Sequence, residues 1–272
     1  MILENSASIE ERWLDVFRQL GEPEGILACT YTFHAEFFAG LLARLAEAAC
    51  EGGTGDGRPF TSLPVDVVCD GTHYRGHRVG FNVSLWPKSR RLFHPKLLIV
   101  LFGNEVVWSG GSLNLTPAGW NRNREVAVWH RPGRRALPRE LRTFLEALAG
   151  VAAAKKILEG TTGERNDNLS CRFLTSLHEP IGTRFLASAP KHIDEVHLVA
   201  PFFEPEESAE ASVDAKWLQS LVQRHPNAHF HVYLPQLEAE PLRVQGCRET
   251  FEASPLSKND RGLLARSGPR NP

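Results

Sequence analysis

His94 and Lys96 lie one residue apart in the run Phe93-His94-Pro95-Lys96, and six apolar residues, Leu97-Leu98-Ile99-Val100-Leu101-Phe102, follow directly. The apolar run reads as a buried strand. The period of two along such a strand would project His94 and Lys96 from one face. An imidazole beside an ammonium suits a phosphate ester: a neutral ring nitrogen can attack phosphorus while the cation offsets charge on the phosphoryl oxygens. A second polar cluster, Ser109-Gly110-Gly111-Ser112-Leu113-Asn114, follows a second strand-like stretch, Glu105-Val106-Val107-Trp108. Two antiparallel strands turning at Gly103-Asn104 would return Ser112 and Asn114 to the side of His94 and Lys96. The Asn114 amide and the Ser112 hydroxyl would then be uncharged donors to the same anion.

Each piece alone is ordinary; a Gly-Gly-Ser segment is usually only a turn. Taken together, His94-Pro95-Lys96, the apolar strand, Gly111-Ser112-Leu113-Asn114, Gly119-Trp120 and Asn123-Arg124-Glu125-Val126 resemble the HKD signature of the phospholipase D superfamily. That signature is His-x-Lys, a strand carrying an Asp, then Gly-Ser-x-Asn. Here Leu101 stands at the Asp position. A motif with Asn kept and Asp absent is similar to the tyrosyl-DNA phosphodiesterase branch. The resemblance implies His94 as nucleophile through a phosphohistidine, with Lys96 and Asn114 stabilising the transferring group. Glu125 would be the carboxylate that orients the histidine. Ser112, Arg91 and Arg124 are candidate substrate-binding residues. Neither a metal nor any other cofactor is expected, since lysine and asparagine carry the charge work.

Positioning these groups requires a sheet covered by helices. Ser8-Ile9-Glu10-Glu11 is a capping-box pattern, and Ile9, Trp13, Val16, Phe17 and Leu20 recur at helical spacing until Gly21 and Pro23. Residues 25–32 read as a buried strand, 35–50 as an amphipathic helix, and 64–69 as a strand ended by Asp70-Gly71. Residues 72–91 read as a basic connection leading to the His94 strand. Beyond Asn114, Thr116-Pro117 opens a short helix or turn, 125–130 returns as a strand, and 138–151 is helical. The β-α-β opening and the strands after it predict an α/β protein with a mixed sheet flanked by helices. Trp120 is expected to pack, and His34 to cap a helix.

The pattern then restarts. Residues 195–203, 214–223 and 228–234 repeat the strand, helix and strand of the beginning, with 160–170 as the expected linker. Two phospholipase D-like halves follow from the resemblance, 1–160 carrying the motif and 161–272 a partial half lacking it. Matching Asp70 to Pro235 places the second motif near Asn259, where the sequence is Ser257-Lys258-Asn259-Asp260-Arg261 and holds no His-x-Lys. The second repeat is therefore expected to be incomplete. His197, His229 and His231 alternate in its strands and are expected to be buried and hydrogen-bonded.

A formal charge of −1 gives no global attraction to nucleic acid, but Arg75, His77, Arg78, Lys88, Arg90, Arg91 and Lys96 cluster ahead of the motif. Five dispersed cysteines without Cys-x-x-Cys suggest neither disulfides nor zinc. No signal-like start and no membrane-length run occur, which predicts a soluble cytoplasmic protein without a membrane partner. The expected function is metal-independent cleavage of nucleic acid, DNA above all, with a homodimer sharing one site. The alternatives are a non-catalytic or truncated half-site that binds nucleic acid and, ranked lower, a phospholipid phosphodiesterase.

Overall fold

The computed structural model describes residues 8–53, 60, 62–72, 74, 80–86, 93–121, 125, 127–164, 173–175, 181–199, 213–234 and 254–255. The chain forms two compact units, Met1–Phe173 and Leu174–Pro272.

In the first unit, helix α1 (Ile9–Leu20) starts where the sequence places it. The Ser8 hydroxyl accepts the Glu11 N–H at 3.1 Å, and Gly21 ends the helix at φ 75°, a conformation a β-carbon would resist. Strand β1 (Pro23–Thr30) leads into α2 (Ala35–Glu51), then β2 (Val65–Asp70), β3 (Asn82–Trp86), β4 (Leu97–Phe102) and β5 (Val106–Gly111). A short helix α3 (Pro117–Asn121) precedes β6 (Ala127–His130). The six strands make one mixed sheet in the order β3-β2-β1-β4-β5-β6, with β1, β2 and β3 parallel and β4, β5 and β6 antiparallel to their neighbours. Alternation assigns the faces. Ile26, Ala28, Val65, Val67, Leu98, Val100 and Phe102 join Trp13, Phe17, Phe38, Leu41 and Leu45 of α1 and α2 in one core.

The chain of this unit continues through β7 (Ala136–Pro138), α4 (Arg139–Glu146), α5 (Ala152–Gly160) and β8 (Thr162–Glu164), with β7 and β8 paired in parallel. Helix α5 packs on β1, β2 and β4. Its first turn has no local cap; the buried Asp66 of β2 accepts the Ala153 N–H at 2.7 Å instead. Leu101 is fully buried, and a β-carbon on Gly160 would come within 2.7 Å of it. The apolar side chain thus fills the seam between β4 and α5.

Three sequence expectations need correction here. Residues 82–86 form an edge strand within what reads as a connection. Residues 160–164, read as the start of a linker, close α5 and form β8. The helix read over 138–151 ends at Glu146, and α5 follows as a second helix.

In the second unit, α6 (Ile181–Ser188), β9 (Glu195–Val199), α7 (Val213–Arg224), β10 (His229–Leu234) and β11 (Ser254–Pro255) repeat the opening of the first. Its sheet runs β11-β10-β9, all parallel, matching β3-β2-β1 in order and direction. His229 and His231 are exposed on β10, against the buried role expected of them. The His197 side chain and the stretch 257–261 lie outside the described residues. Among the described residues no helix is long and apolar enough to cross a membrane.

Candidate active site

Strand direction gathers the site. The C-terminal ends of β1, β2 and β5 and the N-terminal end of β4 all lie at one end of the sheet, because β2 is parallel to β1 while β4 is antiparallel to both β1 and β5. The crevice outside the carboxyl ends of parallel strands is where open α/β sheets ordinarily hold ligands.

His94 and Lys96 sit on this edge, in the segment just before β4 and not within the strand itself. They are nevertheless together. Lys96 Nζ is 2.8 Å from His94 Nδ1, 2.9 Å from Nε2, and 3.3 Å from the His94 carbonyl oxygen, to which it donates. Partial desolvation of its otherwise exposed ring, then the Lys96 cation, hold the His94 imidazole below its ordinary pKa, with Asp70 opposing them. Burial also pushes the Lys96 ammonium down to about 8, with Glu125 opposing. The imidazole is thereby kept neutral near pH 7 while the ammonium keeps its proton, the pairing that nucleophilic attack on a phosphate ester needs.

The Asn114 amide is oriented by the main chain. The Thr32 N–H donates to Asn114 Oδ1 at 3.2 Å, which fixes the oxygen as acceptor and leaves the amide nitrogen as the donor. That loop is stitched to the end of β1. The Leu115 N–H donates to Thr30 Oγ1 at 3.1 Å, the Thr30 hydroxyl donates to the Thr32 carbonyl at 2.8 Å, and the His34 N–H donates to the Leu115 carbonyl at 2.9 Å. Gly119 allows the fit, since a β-carbon there would lie 2.5 Å from the Asn114 carbonyl oxygen. Trp120 is buried against Phe37, as expected of a packing residue. His34 caps α2, its Nδ1 accepting the Phe37 N–H at 3.2 Å.

The return of β5 is in the expected register. Gly110 pairs with Leu97, and the Gly111 N–H donates to the Lys96 carbonyl at 3.1 Å, so Ser112 follows at the motif's side. The Ser112 hydroxyl donates to Glu125 Oε2. A carboxylate can only accept, so the hydroxyl proton expected for a substrate is given to Glu125 here. Glu125 is thus joined to Ser112 by contact and to Lys96 by charge. Arg91 and Arg124 lie outside the described residues, as does most of the basic run 75–91.

Two site residues are missed by the sequence reading. Tyr31, at the end of β1, sets its ring centroid 4.5 Å from that of His94, with Lys96 Nζ 5.7 Å from the tyrosine centroid. Asp70, at the end of β2, is buried and accepts the Phe93 N–H at 3.1 Å. The available signal was positional, since each is a polar-ended residue closing an apolar parallel strand.

No protein-family model matches the chain, and no curated protein matches it. Among solved structures the chain is similar to NucT from Helicobacter pylori, at 14% identity and TM-score 0.32, covering 57% of this chain and 92% of that one. It is also similar to a yeast tyrosyl-DNA phosphodiesterase 1 mutant, at 11% identity and TM-score 0.44, covering 80% of this chain and 60% of that one. A third similar structure is polyphosphate kinase from Porphyromonas gingivalis, at 10% identity and TM-score 0.42, covering 83% of this chain and 35% of that one.

Proposed function

We propose that this chain is a phospholipase D-like phosphodiesterase that cleaves nucleic acid, DNA in particular, through a phosphohistidine at His94. The observation that carries the reading is the Lys96 ammonium at 2.8 and 2.9 Å from the two His94 ring nitrogens, beside a loop whose Asn114 amide nitrogen is left as the donor. In the first step a ring nitrogen of His94 attacks phosphorus as the bond to the leaving oxygen breaks, and that oxygen takes a proton from a second imidazole. In the second step water attacks phosphorus, the P–N bond breaks, and the second imidazole removes a proton from the water. The products are an alcohol and a phosphomonoester. Lys96 and Asn114 stabilise the charge on the equatorial oxygens in both steps.

Charge stabilisation by side chains requires no metal. Cleavage of a labelled DNA strand and of a bis(nitrophenyl) phosphodiester is expected to persist in excess EDTA, and vanadate is expected to inhibit by imitating pentacoordinate phosphorus. Activity lost in EDTA and restored by Mg²⁺ would move the chemistry to a metal-dependent class.

The second imidazole motivates a homodimer. The chain has one His-x-Lys, and a two-fold axis brings the same patch of two subunits together, offering a second His94. Light scattering is expected to give a dimer mass, and excess His94→Ala chain mixed into the wild type is expected to depress activity beyond simple dilution. Full activity at monomer mass would overturn the shared site. The single motif equally favours a second reading, a half-site that binds nucleic acid without turnover. Retention of DNA in a gel shift with no cleavage by the folded protein would support it.

A further inference from the structure

We infer that Asp70 is a positioning residue of the His94 site, fixing from the end of β2 the main chain that enters His94 and placing a carboxylate on the imidazole's side of the sheet end. The inference takes its catalytic meaning from the reading of His94 as nucleophile, but its structural content stands on separate contacts.

Asp70 is only 6% exposed, and its two oxygens serve different segments. Oδ1 accepts the Thr72 N–H at 2.9 Å and the Thr72 hydroxyl, closing the turn after β2. Oδ2 reaches across the sheet end to accept the Phe93 N–H at 3.1 Å. A turn alone would be served as well by asparagine or serine. Accepting main-chain donors on both oxygens is not open to an amide, which offers one oxygen and an NH₂ group. Phe93 is held at its ring as well: it is buried and stacked on Trp86 at 4.8 Å and 24°, and on Phe144 at 6.5 Å and 18°. With Phe93 fixed at ring and N–H, and Pro95 fixing its own φ on the other side, His94 has little backbone freedom.

The charges around His94 come from several elements. Lys96, on the same segment, disfavours a protonated ring, and Asp70, from β2, favours one. Tyr31 contributes its ring from β1, and Glu125 acts on Lys96. Asp70 therefore opposes in part the loss of basicity that burial and a neighbouring cation impose, and nucleophilic strength follows basicity.

The test is an NMR titration of the His94 ring in the full chain, its resonance assigned by its loss in His94→Gln. In Asp70→Asn the midpoint is expected to move to lower pH than in the wild type, and kcat to fall by roughly 10- to 100-fold with KM little changed, the scale of a slightly misplaced reacting group. A folded Asp70→Asn protein with an unmoved midpoint overturns the inference, whatever its rate. Should that variant fail to fold, Thr72→Ala serves instead. Thr72 is exposed, and losing its hydroxyl leaves the carboxylate charge less neutralised, so the midpoint is expected to rise. An unmoved midpoint there also overturns the inference. The titration needs no turnover, so a wild type that cleaves no phosphodiester would remove the proposed function while leaving this test intact.

Discussion

His94→Ala protein is expected to lose turnover by a factor on the order of 10⁴ or more while remaining folded, because removing a nucleophile abolishes the covalent route itself. The fold should tolerate the change. His94 is exposed and precedes β4, and none of the sheet core depends on its ring. Surface substitutions of this kind usually alter stability by no more than about 0.5 kcal/mol. Thermal unfolding together with cleavage of a nitrophenyl phosphodiester checks both halves of the expectation. A rapid alkaline quench of wild-type protein during turnover should also yield a phosphoryl mass adduct that His94→Ala lacks. Near-normal rates in the purified variant would make the His94–Lys96 pair a structural feature and remove the proposed mechanism.

Lys96→Ala is expected to lower kcat by roughly 10²- to 10³-fold, the scale for losing one preorganised charge-stabilising donor. The pH profile makes the expectation specific. With a nitrophenyl leaving group, which departs as an anion, the first step needs no acid and reports only His94 and Lys96. His94 must be neutral, and its pKa is lowered, so the rate falls as pH drops through a value below the ordinary imidazole range. Lys96 must be charged, and burial has pushed it down to about 8, so the rate falls again as pH rises through about 8. Activity is therefore expected in the window between these two limits. Lys96→Arg keeps its charge at any accessible pH, and its alkaline limb should move up or vanish even if its plateau is lower. An alkaline limb unchanged in Lys96→Arg would assign that limb to another group.

The parts of the fold legible in the sequence were those specified locally. Ser8 with Glu11 and the spacing from Ile9 to Leu20 encode α1 and its cap within one stretch of chain. The six apolar residues of β4 read as a strand buried on both faces, and Gly103-Asn104 made the return of β5 the economical continuation. The repeated strand-helix-strand pattern likewise announced the parallel β9 and β10. Helix α5 was not legible, because its cap comes from Asp66, 87 residues away, and nothing in Ala152-Ala153-Ala154 marks a start. Strand β3 escaped for a related reason. At the sheet edge it leaves Asn82 and Leu85 exposed, so its pairing with β2 has little local signature.

The candidate site divides along the same line. The sequence by itself determined which groups could act: an imidazole and an ammonium one residue apart, a Gly-Ser-x-Asn turn to follow, and an unbroken apolar strand from Leu97 to Phe102 between them. Side-chain chemistry is fixed by residue type, and such short spacings survive any fold that makes β4 and β5 adjacent. Tertiary structure decided how these groups are oriented and charged. The Thr32 N–H bound the Asn114 amide, Glu125 took the Ser112 hydroxyl, Tyr31 reached His94 from the end of β1, and Asp70 reached the Phe93 N–H from the end of β2. Those partners are distant in sequence and meet only because parallel strands bring their carboxyl ends to one edge. Hydrogen-bond direction and proton affinity depend on what lies within a few ångströms, and that neighbourhood exists only after the sheet has formed.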